Sequence, residues 1–297
     1  MTDSPATSRA TVIEPVTLRS VTLGTGRTKV CVPLVQPDAA HLREAVAELP
    51  SDVVDLVELR LDHLVGVDRA DGPHLDGPHP DGPAGRPAAR TSSAVVLDAL
   101  AVVRASLDEA VPVLATFRSA REGGERELSP EAYERLLVRV VDSGLVDAVD
   151  VEMFTAPDVL ARVVAHAHAH GVPVVMSSHD FHGTPSHDEI VSRLRTQQEQ
   201  GADVVKVAVM PRSARDVLTL LDATEDFRTN HATRPAVTMA MGGLGAVSRL
   251  VGEPFGSCLS FGAVGAASAP GQVAAPELRS VIDLVHAAAT AGSPTSR

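Results

Sequence analysis

Short apolar, β-branched runs recur along the chain, each separated from the next by a segment with helical spacing. Eight of them predict strands: KVCVPLV (29–35), VVDLVELRL (53–61), VPVLATFR (111–118), VDAVDVEM (146–153), VPVVMSSH (172–179), DVVKVAVM (203–210), AVTMAM (236–241) and CLSFGAV (258–264). Helical patterns fill the gaps, for example over 130–143, 156–170, 187–200 and 212–226. The stretch SPEAYERLL marks one helix start clearly, with Ser129 at the N-cap, Pro130 in the first turn and glutamate beside it. Strands alternating with helices imply a parallel sheet. Eight such units predict an α/β fold, a single-domain (β/α)8 barrel of the TIM type. The rival is an open, doubly wound sheet. It is disfavoured because no glycine-rich phosphate loop follows the first strand.

Two segments fall outside the pattern. Residues 1–16 are polar and read as a disordered N-terminal extension, so the barrel is expected over 17–290 with a short tail at 291–297. Residues 69–92 carry an imperfect DGPH repeat rich in proline and glycine, a composition that cannot pack a core. They read as a flexible insertion after the second strand.

Alternation within the strands changes the picture from fold to function. Successive side chains on a strand point to opposite faces. In the sixth strand Val205, Val207 and Val209 share one face, which suits packing under helices, so Lys206 points into the barrel. The same parity turns Glu58, Arg60 and Asp62 inward from the second strand and Thr116 and Arg118 from the third. The fourth contributes Asp150 and Glu152, and the fifth Ser177 and His179. Barrel interiors are normally filled by apolar layers, and an unpaired charge there costs several kcal/mol. A purely structural ion-pair network is the bland reading, and it fits Asp62 and Asp150 best. Convergence of five strands' charges near their C-terminal ends favours an active site, because barrel enzymes place theirs there.

Composition narrows the function classes. A net charge of −12 argues against a broad nucleic-acid footprint. Two cysteines, Cys31 and Cys258, make no disulfide framework or zinc motif, and both read as buried thiols. No apolar run is long enough for a membrane span, and the N-terminus lacks a signal-peptide core, so a cytoplasmic enzyme is expected. The run AHAHAH sets His166 and His170 one helical turn apart. Metal ligation is conceivable there, but a solvated helix face is the favoured reading.

With those residues in place, the chain resembles the type I 3-dehydroquinate dehydratases, the Schiff-base-forming dehydroquinases of the shikimate pathway. The resemblance rests on VELRLDHL (57–64), ATFRSAREGG (115–124), DVEM (150–153), SSHDF (177–181), GADVVKVAVMP (201–211), MGGLGAVSRL (241–250) and FGSCLSFGAVGAASAPGQ (255–272). These motifs fall in family order from about residue 17 to the C-terminus. The departures are a serine, Ser178, where the family often has an aromatic before its histidine, and the insertion near the barrel mouth.

The resemblance implies a small-molecule substrate, 3-dehydroquinate, no cofactor or metal, no nucleic-acid or membrane partner, and commonly a homodimer. It implies Lys206 as the Schiff-base amine, His179 as the proton shuttle and Glu122 as the carboxylate that orients it. Glu58, Arg60, Arg118, Arg249, Ser268 and Gln272 are the implied substrate-binding residues, with Arg249 as carboxylate clamp and AASAPGQ as a closing loop. An attacking amine must be neutral, a state that burial and nearby cations such as Arg118 or Arg249 would favour. The scarcity of Trp and Tyr suggests a site without aromatic stacking. Two rival readings share the barrel. A ligand sensor would keep the arginine clamp but need neither Lys206 nor His179. A lysine-dependent aldolase would not be expected to keep SSHDF and SAPGQ together.

Overall fold

The computed structural model describes residues 12–67, 92–265 and 268–291. The Pro/Gly-rich insertion, apart from Ser92 at the start of a helix, and residues 1–11 and 292–297 lie outside the described residues.

The chain begins with a hairpin, β1 (Val16–Leu18) and β2 (Val21–Leu23). Eight parallel strands follow: β3 (Lys29–Leu34), β4 (Leu56–Arg60), β5 (Val113–Thr116), β6 (Ala148–Glu152), β7 (Val174–Asp180), β8 (Val204–Val209), β9 (Ala236–Ala240) and β10 (Leu259–Ala263). Each coincides with one of the eight apolar runs in the sequence. A two-residue strand, β11 (Val273–Ala274), extends the edge of β10. The ring closes between β9 and β10, where Cys258 N donates to Ala236 O at 2.8 Å and Thr238 N to Ser257 Oγ at 3.0 Å. The result is the expected (β/α)8 barrel.

The helices are α1 (Ala39–Ala47), α2 (Ser92–Ser106), α3 (Pro130–Asp142), α4 (Pro157–Ala169), α5 (His187–Glu199), α6 (Ala214–Asn230), α7 (Ala246–Leu250) and α8 (Ala275–Ala291). Their ends follow from local chemistry. Ser129 caps α3 by accepting from Ala132 N, with Pro130 behind it. In α6 the Ser213 and Asp216 side chains each accept from the other's backbone N–H, a reciprocal capping box.

Apolar packing divides into two layers. The outward-facing Val57, Leu59, Val149, Val205, Val207 and Val209 join the core between strands and helices. Inside the barrel, Cys31, Leu56, Leu114, Val204 and Leu259 pack with Val16, Leu18, Val21 and Leu23 of the hairpin. The hairpin therefore plugs the end of the barrel where the strands begin. Its residues start before the expected boundary at 17, and Glu14 N already donates to Thr233 O at 2.9 Å. Cys31 is buried as expected, whereas Cys258 is only partly so.

The candidate active site

With the lower interior closed by apolar groups, the upper interior holds the charges that strand parity predicts. Register brings them level: Arg60 pairs with Thr116, Thr116 with Asp150, Glu152 with Ser177, and Ser177 with Lys206. Lys206 is buried, with Nζ 3.2 Å from Asp150 Oδ2, 3.8 Å from Glu58 Oε1 and 4.7 Å from the centre of the Phe261 ring. The charges facing the amine are thus carboxylates rather than the arginines expected from sequence. Those arginines are placed differently. Arg118 donates to Asp150 Oδ1 at 2.8 Å, Glu152 Oε1 at 3.0 Å and Ser177 Oγ at 2.9 Å. Burial pulls its pKa down, but the surrounding carboxylates outweigh that and hold it above the ordinary value. The guanidinium is a fixed hub. Burial likewise pushes Asp150 up, but Arg118 and Lys206 more than offset it and keep the carboxyl below its usual range.

Arg60 is clamped by Asp62, Nε to Oδ1 at 2.9 Å and Nη2 to Oδ2 at 2.7 Å. Asp62 also accepts from Arg118 N and Glu125 N, so it braces two loops as well as one site residue. Glu58 accepts from Thr116 Oγ1 at 2.8 Å.

Glu122 reaches the site from a single 3-10 turn, Ala120–Glu122, that ends in Gly123. Gly123 has φ +84°, and a Cβ there would lie 2.1 Å from the Phe181 ring, so only glycine fits. Glu122 Oε2 is 2.9 Å from His179 Nδ1 and accepts from His179 N at 3.1 Å. Because the same oxygen already accepts the backbone N–H, the proton between carboxyl and ring belongs on Nδ1. Nε2 then carries the lone pair. Burial, reinforced by Arg118, Lys206 and Arg60, pushes His179 well below the ordinary histidine range. Burial also pushes Glu122 up to about 8, against the pull of Arg118. Both members of the pair favour their neutral forms in the free site.

Arg249 sits on α7, buried, its Nη1 3.5 Å from Met239 Sδ. Its Nε and Nη2 have no hydrogen-bond partner among the described residues. Burial lowers its pKa to about 10. A buried guanidinium with free donors is costly unless an anion completes it. Ser268 and Gln272 brace one another, Ser268 N donating to Gln272 Oε1 and Gln272 Nε2 to Ser268 Oγ, each at 2.8 Å. Gly271 (φ +75°) pins this loop to the β9 end, where a Cβ would lie 2.2 Å from Gly242 O.

A single cavity is lined by Lys206, His179, Glu122, Glu58, Arg60, Arg118, Arg249, Ser268 and Gln272. It therefore gathers every residue that the sequence singled out as a site candidate.

The whole chain tells the same story. Residues 30–289 match the family model of type I 3-dehydroquinase. A 3-dehydroquinate dehydratase of Escherichia coli O17:K52:H18 is 43% identical over 277 residues, covering 93% of this chain and all of that one. The chain belongs to the type I 3-dehydroquinase family. It is accordingly an enzyme of the hydro-lyase class. Solved structures of the family superpose closely. The type I enzyme from Clostridium difficile, solved with covalently modified comenic acid, is 39% identical with a TM-score of 0.82, over 93% of this chain and 99% of that one. The enzyme from Geobacillus kaustophilus is 33% identical with a TM-score of 0.81, over 94% and 99%.

Several residues of this type I 3-dehydroquinase site escape sequence reasoning. Phe181, Met239, Met241 and Phe261 line the cavity, so aromatic rings are present even though Trp is absent. Asp150, read as structural, touches the Lys206 amine directly. Gln197 of α5 is fully buried and grips the Lys206 backbone: its Oε1 accepts from Lys206 N at 2.8 Å and its Nε2 donates to Lys206 O at 3.0 Å. No pattern in the helix marks Gln197, because a polar residue at a buried helical position is visible only once its partner is known. Among the described residues no helix is long and apolar enough to cross a membrane.

Proposed function

We propose that this enzyme removes water from 3-dehydroquinate, giving 3-dehydroshikimate, through a Schiff base on Lys206. The observation that carries the reading is the meeting of three groups in one cavity. They are a buried amine, a neutral imidazole with its lone pair on Nε2, and a buried guanidinium with free donors. The last suits a substrate carboxylate, which would complete the Arg249 fork. Arg60, Arg118 and Glu58 then face the hydroxyl and ketone side of the ring.

The proton to be removed lies α to a ketone and is weakly acidic. Lys206 Nζ gives up one proton and attacks the carbonyl carbon; the carbonyl oxygen takes up that proton and a second from the amine and leaves as water, giving an iminium, a better electron sink. His179 Nε2 takes the α proton, the C–O bond to the β hydroxyl breaks, and His179 returns a proton to the departing oxygen. Glu122 accepts the Nδ1–H throughout and so holds the imidazole with Nε2 toward the substrate. Water then hydrolyses the product imine and frees Lys206. The iminium supplies the electron sink, so the steps call for no metal or cofactor. The Ser268–Gln272 loop would cover the bound substrate and exclude bulk water. The covalently modified ligand in the C. difficile relative supports a site chemistry that forms a bond to a small acid.

Borohydride added during turnover should fix one substrate-derived mass on Lys206, and Lys206→Ala should lose nearly all turnover while keeping measurable binding. Full activity with an unlabelled Lys206 would overturn the mechanism. Appearance of the conjugated enone on adding dehydroquinate separates the dehydratase from a ligand sensor, and product analysis for carbon–carbon cleavage separates it from an aldolase.

A further inference from the structure

At the opposite end of the barrel from the active site, the run AHAHAH is resolved into distinct environments. His168 turns toward β8, its Nε2 2.8 Å from Asp203 Oδ2. His166 and His170 turn toward α3. His166 Nε2 is 2.7 Å from Asp142 Oδ1, His170 Nε2 is 3.7 Å from the same oxygen, and the two imidazole centres are 4.4 Å apart. The ligand atoms of Asp142, His166 and His170 lie within 4.8 Å of one another, and among the described residues these three form the one such cluster able to hold a metal ion.

We propose that Asp142, His166 and His170 bind a divalent transition metal, Zn²⁺ by preference, as a clip between α3 and α4. Four features support it. The first is spacing. Zinc bonds of ~2.0–2.2 Å in tetrahedral geometry set ligand atoms roughly 3.4 Å apart, and the two nitrogen–oxygen separations of 2.7 and 3.7 Å bracket that value. Small side-chain adjustments suffice. The second is the tautomer. His170 Nδ1 lies 2.9 Å from His166 O, so it carries the proton and donates to that carbonyl. Its Nε2 therefore presents a lone pair toward the carboxylate. A ligand histidine whose second nitrogen is held by a carbonyl is the usual arrangement in metal sites.

Electrostatics is the third feature. Asp142 is the last residue of α3, and His170 is the C-cap of α4. Two helix C-termini, each with partial negative charge, thus converge beside the carboxylate and favour a cation. Accessibility is the fourth. Asp142 and His170 are exposed and His166 partly so, which leaves the remaining coordination position to water. Binding would displace to solvent the proton that His166 Nε2 shares with Asp142 Oδ1. The site lies apart from Lys206 and His179, so turnover should not depend on it.

The test is calorimetric titration of the full-length, chelator-treated protein with ZnCl2 at pH 7.5, for the wild type, His166→Gln/His170→Gln and His179→Gln. One equivalent should bind to the wild type and to His179→Gln. In the double variant that equivalent should weaken by at least about tenfold, ~1.4 kcal/mol, while turnover stays unchanged. Thermal unfolding gives a second readout: Zn²⁺ should raise the melting temperature of the wild type and not of the double variant. Zinc bound equally by wild type and double variant, or by neither, overturns the proposal. Loss of that equivalent in His179→Gln alone would assign the metal to the active site and overturn it as well.

Discussion

The Glu122–His179 pair makes a quantitative prediction about stability. Burial holds the Glu122 carboxyl at about 8, against 4.5 for an unhindered glutamate. Between those values the folded protein keeps the proton and the unfolded chain has lost it. Stability must therefore fall as pH rises through that window, and the loss is complete above about 8. Each pH unit is worth ~1.4 kcal/mol, so the full difference is roughly 5 kcal/mol. Glu122→Gln cannot ionise and lacks this slope, while its amide oxygen can still accept from His179 N and Nδ1. His179 contributes an opposite slope. Its folded form stays neutral, so stability drops as pH falls below the unfolded value near 6.5. That slope is common to both proteins and cancels in their difference. Urea unfolding at pH 5, 6, 7 and 8.5 should show the glutamine variant gaining on the wild type by several kcal/mol as pH rises. Parallel profiles, within about 1 kcal/mol across the range, would refute the assignment of a raised pKa to Glu122.

Replacing Gln197 by Leu removes two buried hydrogen bonds to the Lys206 backbone. Stability should fall by about 2–4 kcal/mol, and the yield of borohydride-trapped enzyme should fall more than ligand binding does, whereas Gln197→Glu, which keeps one acceptor, should restore part of it. Arg249→Met removes a buried cation whose Nε and Nη2 have no partner among the described residues. The fold should be unchanged or more stable by about 1–3 kcal/mol, while kcat/KM drops by roughly 10²–10³ through loss of the carboxylate clamp. Thermal melts and steady-state kinetics on one preparation would show whether the two effects separate. The pH profile of kcat/KM should hold flat down through the ordinary histidine range, because the base remains neutral there. An acid limb centred near 6.5 would contradict the burial of His179.

Much of this protein is legible without a structure because the relevant signals are local. A valine at every second position sets which face of β8 meets the helices, and so turns Lys206 inward. Ser129 and Pro130 start a helix through contacts within one turn. The motifs from VELRLDHL to SAPGQ carry the family and, with it, the nine expected site residues, each of which lines the cavity. Tertiary structure alone decides what each charge faces. Parity makes Asp150 an interior residue, but only the stagger between β6, β7 and β8 sets it against both Lys206 and Arg118. Arg249 looks like a surface arginine until α7 places it inside, with Nε and Nη2 unpaired among the described residues. The hairpin plug and the Gln197 grip join residues from separate elements, and no local pattern records them; AHAHAH sets out His166 and His170, but only the fold brings Asp142 of α3 to them. Helix and strand preferences act over a few residues, whereas pairing, desolvation and ligand geometry depend on distances that exist only after the chain has folded.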